Sequence, residues 1–243
     1  MDFEYAFRAD MAGQEMFQTI VRSTAVLYWH TDGGAILHNG SMFFLNTKKA
    51  LFGVTARHVY EEYLQAVERE PMICQIGNLV VDPKERLIDL GTDADIATFR
   101  VTEKELAELD TITMPWPPKV PVEGAGVFVC GLPGFARDMP TPRTASFKHY
   151  VALMRVDSVS DRAISMVRQP DEEMMNVFGG DNLPEPHMDI GGMSGGPVAV
   201  NMQTPTGLTC WFISAVIAEG HKEWDIIHAA RADWINEDGT IRG

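Results

Sequence analysis

Three cysteines in 243 residues are too few for a disulfide scaffold. Cys74, Cys130 and Cys210 each stand in an apolar, strand-like context, which suits buried free thiols. Basic residues are also scarce: 20 Lys and Arg face 34 Asp and Glu, for a net charge of −14. Phosphate backbones and anionic membrane surfaces select a basic face, so neither nucleic acid nor membrane is an expected partner. No apolar run approaches the ~18 residues of a membrane span. The start, Met1-Asp2-Phe3-Glu4-Tyr5, has acids where a secretory leader carries lysine or arginine, and no apolar stretch follows. The expected compartment is the cytoplasm. Neither His-Glu-x-x-His nor Cys-x-x-Cys occurs, so a hydrolytic metal centre has no ligand spacing to build on. No internal repeat is visible.

What is present is a soluble-type composition, 45% hydrophobic and 22% charged, on a chain long enough to bury a large core. Residues 1–23 place Phe3, Phe7, Met11, Met16, Phe17 and Ile20 at loosely helical spacing, which predicts a helical lead-in. From Thr24 the pattern becomes short apolar runs (25–29, 41–45, 50–55) broken by Asp32-Gly33-Gly34 and Asn46-Thr47-Lys48-Lys49. That is the pattern of an antiparallel barrel or sandwich. After His58 the period turns helical through Val59, Tyr63, Leu64 and Val67. Strands are expected again at 72–76, 79–81, 86–90 and 96–101. Residues 102–109 read as a helical turn, with Thr102 as N-cap and Glu105 completing a capping box.

Four prolines between Pro115 and Pro121 exclude both helix and central strand, so 113–121 reads as a stiff linker between a first half, 24–112, and a second, 122–243. In the second half strands are expected at 126–131, 150–156, 163–167, 197–201 and 208–218. Residues 133–143 read as an exposed loop. Ile226, Ile227, Ala230 and Trp234 suggest a closing helix over 225–236.

The chemistry concentrates in Gly191-Gly192-Met193-Ser194-Gly195-Gly196-Pro197. Packing gives no reason for a serine between glycines. Glycine allows backbone at positive φ and close approach to a ligand, so such a turn presents a hydroxyl while neighbouring N–H groups face a carbonyl oxygen. A serine nucleophile needs a base and an orienting acid. His58 follows a strand and precedes a helix, which fixes the backbone and leaves the ring reachable. His30 and His38 lie in turn-rich loops, and His149, His187, His221 and His228 have no comparable setting. Asp95 opens an apolar strand and is the favoured acid, with Asp93 on a turn and Asp89 inside a strand as competitors.

Together, Thr55-Ala56-Arg57-His58, Asp95-Ile96-Ala97 and Gly192-Met193-Ser194-Gly195-Gly196-Pro197 resemble the chymotrypsin/trypsin-like serine peptidases, in that family's order of His, Asp and Ser. Gly131-Leu132-Pro133 after an apolar strand is similar to the opening of the second barrel in bacterial members. The resemblance spans roughly residues 24–236. It implies an all-β fold of two six-stranded antiparallel barrels in double Greek-key order, with the lead-in and closing helices added. It implies Ser194 as nucleophile, His58 as general base, Asp95 as its orienting acid, and the N–H groups of Gly192 and Ser194 as oxyanion hole. Protein or peptide would be the substrate.

Two departures carry consequences. The secreted digestive members have an aspartate just before the nucleophile, paired with a new N-terminus. Here that position is Met193, so the loop must be held by other means, or switched by substrate or an activating protein partner. The position matching the pocket floor is Met188, which suggests an apolar pocket, whereas Asp189 one residue later would favour Lys or Arg. Ala218, Glu219 and Gly220 resemble the strand that pairs with substrate, and Glu219 either attracts basic residues or is a solvated surface acid. Three rivals remain: a catalytically silent peptide-binding module, a metallohydrolase, and an α/β-hydrolase, whose histidine follows its serine.

Overall fold

The helical spacing ahead of Thr24 forms α1 (Met11–Arg22), which buries Met16 and Ile20 and ends where the Ser23 and Thr24 hydroxyls both donate to the Ile20 carbonyl. In this computed structural model, residues 11–34, 37–141, 144–167, 190–203, 209–221 and 226–243 are described. The alternating runs that follow give β1 (Thr24–His30), β2 (Leu37–Asn46) and β3 (Leu51–Thr55), then α2 (Arg57–Arg69). Next come β4 (Ile73–Ile76), β5 (Leu79–Val81), the single turn α3 (Pro83–Arg86), β6 (Leu87–Leu90), β7 (Ala97–Arg100) and α4 (Glu103–Glu108). The capping box at α4 is present: Thr102 Oγ1 accepts from Glu105 N, and the Glu105 carboxylate accepts from Thr102 N at 2.8 Å.

These strands make one antiparallel seven-stranded sheet, ordered β5-β4-β1-β2-β3-β7-β6. The sequence predicts a closed six-stranded barrel here, but among the described residues the sheet is a curled half-barrel whose end strands do not join. Both end strands are short. The C-terminal residues pack against β6 and β7, where Ile241 N donates to Asp89 Oδ2 at 2.7 Å and the Thr98 hydroxyl donates to the Gly239 carbonyl at 2.6 Å.

The proline-rich stretch is extended, as its composition demands. Met114 N donates to Phe44 O on one side and Lys119 N to Ile213 O on the other, so it straps the first sheet to the second half; the Trp116–Pro117 peptide is cis.

The second half contains β8 (Gly126–Gly131), β9 (Arg137–Thr141), β10 (Thr144–Phe147), β11 (Tyr150–Val159), β12 (Ala163–Val167), β13 (Pro197–Gln203), β14 (Thr209–His221) and β15 (Ile226–Arg231). Six of them close a barrel in the order β11-β12-β15-β14-β13-β8. Two expectations are corrected. The stretch read as an exposed loop forms a 3₁₀ turn (Gly134–Ala136) and β9, which pairs with β10 as a hairpin whose β9 residues are mostly exposed. The expected closing helix is instead β15 and a 3₁₀ turn (Ala232–Trp234). Ile227 and Ala229 alternate into the barrel core, and β15 pairs with both β12 and β14, so barrel closure overrides the helix-like spacing.

One core runs through both halves. Phe43, Phe52 and Ile96 from the sheet pack in the same cluster as Phe128, Ile213 and Ala230 from the barrel. The segments carrying His58, Asp95 and Ser194 meet along this seam.

Candidate active site

At the end of β3 the chain leaves the sheet through Ala56 in an extended conformation and enters α2, so His58 sits in the first turn of that helix. The first N–H groups of a helix have no partner within it. Here Asp95 supplies one: its Oδ1 accepts from His58 N at 2.9 Å, while its Oδ2 accepts from His58 Nδ1 at 2.7 Å. One carboxylate thus caps the helix and orients the ring. An ionised carboxylate only accepts, which puts the ring proton on Nδ1 and leaves Nε2 with a lone pair. Arg57 steadies the loop carrying Asp95 by donating from Nη1 to the carbonyls of Gly91 (2.9 Å) and Thr92 (3.1 Å).

The competing acids are engaged elsewhere. Asp93 pairs with Arg162 at 3.1 Å, and Asp89 accepts from Leu90 N and Ile241 N. Burial works against the charged form of His58. The hydrogen bond and charge of Asp95, with Glu62 and Glu61 behind them, outweigh it and hold the imidazole above its ordinary value. Burial likewise pushes Asp95 up, and the ring and backbone hydrogen bonds of His58 and the charges of His58 and Arg57 bring it below the usual carboxylate range.

Ser194 lies on the loop between Ile190 and β13, with Gly192 at φ +97° and Gly195 at φ +87°. A side chain at Gly195 would fall 2.1 Å from both Ser41 O and Thr55 Oγ1 and 2.9 Å from Ala56 N. Only glycine lets the loop press onto the junction that leads to His58. Five successive carbonyls of this loop are engaged. Ile190 O accepts from Met193 N (3.1 Å), Gly191 O from Gly134 N (2.7 Å), Gly192 O from Ser41 Oγ (2.8 Å), Met193 O from Gly196 N (2.9 Å) and Ser194 O from Ser41 N (2.8 Å). In a planar trans peptide the N–H points opposite to the C=O. The N–H groups of Gly192 and Ser194 therefore face away from these anchors, and among the described residues they donate to nothing.

Met193 is 0% exposed and packs in the core of the closed barrel. The Ser194 hydroxyl donates to the Ala218 carbonyl at 3.2 Å; its hydrogen bond is to β14 and not to His58. Ala218 is half-buried, and Glu219 and Gly220 beside it are exposed. Ile190 packs over Gly220, where an added Cβ would meet its side chain at 2.2 Å. Met188 and Asp189 lie outside the described residues.

The sequence reading missed Ser41, Asn39 and Gly134. Asn39 donates from Nδ2 to Leu132 O at 2.8 Å and lies directly against Gly192. The one available signal was a serine heading the apolar run Met42-Phe43-Phe44-Leu45, a hydroxyl where the strand buries everything else. Among the described residues no group of three His, Cys, Asp or Glu could hold a metal ion, and no helix is long and apolar enough to cross a membrane.

No family model matches the sequence, and no curated protein matches it. Solved structures do. The tobacco vein mottling virus protease aligns at a TM-score of 0.51 and 9% identity, over 88% of this chain and 79% of its own. Deg5 aligns at 0.50 and 15% identity, over 90% and 88%. At such identities the likeness is one of fold alone, and one closed barrel beside a curled half-barrel sheet is consistent with the chymotrypsin-like fold.

Proposed function

We propose that the protein is a serine endopeptidase acting through Ser194, His58 and Asp95. The observation that carries the reading is the His58–Asp95 pair, bonded at 2.7 Å on the junction against which the Ser194 loop is pressed. In this reading the Ser194 hydroxyl turns from Ala218 O to His58 Nε2. It attacks the peptide carbonyl as the ring takes its proton, and Asp95 stabilises the imidazolium. The new oxyanion is received by the N–H groups of Gly192 and Ser194, each worth about 10²–10³ in rate by analogy with single-donor deletions. His58 then protonates the leaving amine, and water repeats the sequence on the acyl-enzyme, so no metal or organic cofactor enters.

The substrate in this reading is a protein or peptide strand laid along Ala218, Glu219 and Gly220. The pocket floor in this reading is either Met188, which makes the pocket apolar, or Asp189, which favours Lys or Arg; Glu219 with the chain's net charge of −14 leans the preference toward basic residues. We take residues 1–243 as one peptidase unit, with lead-in 1–23, halves 24–112 and 122–243, and linker 113–121, working in the cytoplasm.

A second reading, a silent peptide-binding module, is favoured by one observation: the Ser194 hydroxyl rests on Ala218 O. Intact-mass detection of a fluorophosphonate adduct separates the two. The peptidase reading expects one adduct on the wild type and none on Ser194→Ala. No adduct on either supports the silent module, unless adding an activating protein partner restores labelling. Prompt labelling of the isolated chain makes such a partner unnecessary.

A further inference from the structure

Two adjacent glycines precede Met193, and φ of Gly192 at +97° is one of many backbone states open to glycine. Covalent geometry alone does not hold this loop, and Met193 removes the charged anchor that an aspartate would supply. The bonds made by Ser41 supply another. Ser41 is 0% exposed on β2 and makes four hydrogen bonds. Its N–H donates to Ser194 O (2.8 Å), and its carbonyl accepts from Thr55 Oγ1 (2.6 Å). Its Oγ accepts from Leu132 N (2.9 Å) and donates to Gly192 O (2.8 Å).

The direction of that last bond is fixed. A serine hydroxyl carries one proton, Leu132 N–H can only donate, and Gly192 O can only accept. The proton of Ser41 is therefore committed to Gly192 O. This sets the plane of the Gly192–Met193 peptide, whose other end is held by Met193 N on Ile190 O at 3.1 Å. That plane shares one Cα with the peptide carrying the Gly192 N–H and the other with the peptide carrying the Ser194 N–H. Holding it restrains both donors at once.

We propose that Ser41 is a positioning residue for the oxyanion loop: its hydroxyl fixes the Gly192–Met193 peptide plane and thereby aims the Gly192 and Ser194 N–H groups. This rests on Ser194 being the nucleophile. A displacement of about 1 Å at a reacting centre costs on the order of 10² in rate.

The test follows fluorophosphonate labelling over time and over pH on wild type, Ser41→Ala, Ser41→Cys, Ser41→Thr and Ser194→Ala, reading the rate constant and the final labelled fraction separately. Ser41→Ala and Ser41→Cys, the latter near in shape but a poor donor, are expected to label about 10²-fold more slowly. Their final labelled fraction stays complete and the pH midpoint set by His58 does not move. Ser41→Thr, which keeps the hydroxyl, recovers most of the rate. If Ser41→Ala fails to fold, Ser41→Cys carries the same comparison. Wild-type rates in both variants, with Ser194→Ala silent, overturn the positioning role and leave the nucleophile intact. A reduced labelled fraction at an unchanged rate also overturns it, because Ser41 is then only structural. No labelling of the wild type means that the isolated chain holds no formed oxyanion loop for Ser41 to position, which overturns the proposal.

Discussion

Replacing Gly195 by alanine separates two costs that the same substitution combines. Gly195 and Gly124 have nearly the same φ, +87° and +80°. Around Gly124 an added Cβ meets nothing within 4 Å, whereas at Gly195 it lands 2.1 Å from Ser41 O and Thr55 Oγ1. Gly124→Ala therefore pays only the left-handed backbone penalty, about 1–2 kcal/mol. Gly195→Ala adds overpacking of about 1–3 kcal/mol in a site with no slack. It also forces apart the buried Thr55–Ser41 hydrogen bond, 2.6 Å long, at a further cost of about 1–3 kcal/mol. The sum is about 3–6 kcal/mol, since the clash and the broken bond overlap in part. At roughly 2–4 °C per kcal/mol for a chain of this size, Gly124→Ala should lower Tm by about 2–8 °C and Gly195→Ala by about 6–24 °C. Thermal melts followed by circular dichroism at one scan rate make the comparison. Equal losses in the two variants would refute the close contact between the Ser194 loop and the β3–α2 junction.

Asp95→Asn should reverse the shift of His58. With the carboxylate gone, burial is opposed only by the charges of Glu62 and Glu61, and the ring titrates lower than in the wild type. Turnover should fall by about 10⁴, the loss known for this substitution in the serine-protease triad. A ring titration by NMR checks it, and a midpoint no lower than that of the wild type would remove Asp95 as the cause. The stability effect has its own pH window. A raised His58 contributes stability below its unfolded pKa and loses it as pH climbs through the folded value. A lowered Asp95 contributes above its unfolded pKa and loses it as pH drops through the folded value. The wild type should therefore exceed Asp95→Asn most clearly between about pH 4 and pH 6.5 in urea melts. Cys74 and Cys130 have thiols pushed up to about 12 by burial. Iodoacetamide at about pH 8 should leave both unmodified in the folded protein and alkylate both on unfolding, by mass spectrometry; native modification of Cys130 would contradict its burial.

Local rules carried much of the reading. The capping box at Thr102 and Glu105 is written within four residues, and the structure has it there. The strands at Leu79–Val81, Gly126–Gly131 and Ala163–Val167 lie on the residues where apolar runs between turn signals placed them. What failed was non-local. Ile226, Ile227, Ala230 and Trp234 mimic a helix face, and only the pairing of this segment with β12 and β14 makes it a strand. The β9 strand was hidden because its side chains face water and show no apolar alternation. His58 and Asp95 were legible from their places at strand ends. Ser41 was not, since its role arises from a bond to Gly192, 151 residues away.

The same contrast bears on how the Ser194 loop is held. An aspartate paired with a new N-terminus ties loop geometry to a charge, and a buried pair forfeits hydration for that control. At Met193 the anchor is apolar burial in the barrel core, about 1.5–3 kcal/mol for a side chain of this kind. Other anchors include neutral hydrogen bonds, Gly134 N–H to Gly191 O, Ser41 N–H to Ser194 O and Ser41 Oγ–H to Gly192 O. None of these titrates. In the proposed mechanism the ionisations of His58 and Asp95 are therefore separable from the shape of the hole. Changes at Ser41 alter rate without moving the pH midpoint, and changes at Asp95 move both. Two residues that each touch the site thus leave different kinetic signatures, because one acts through a peptide plane and the other through a proton.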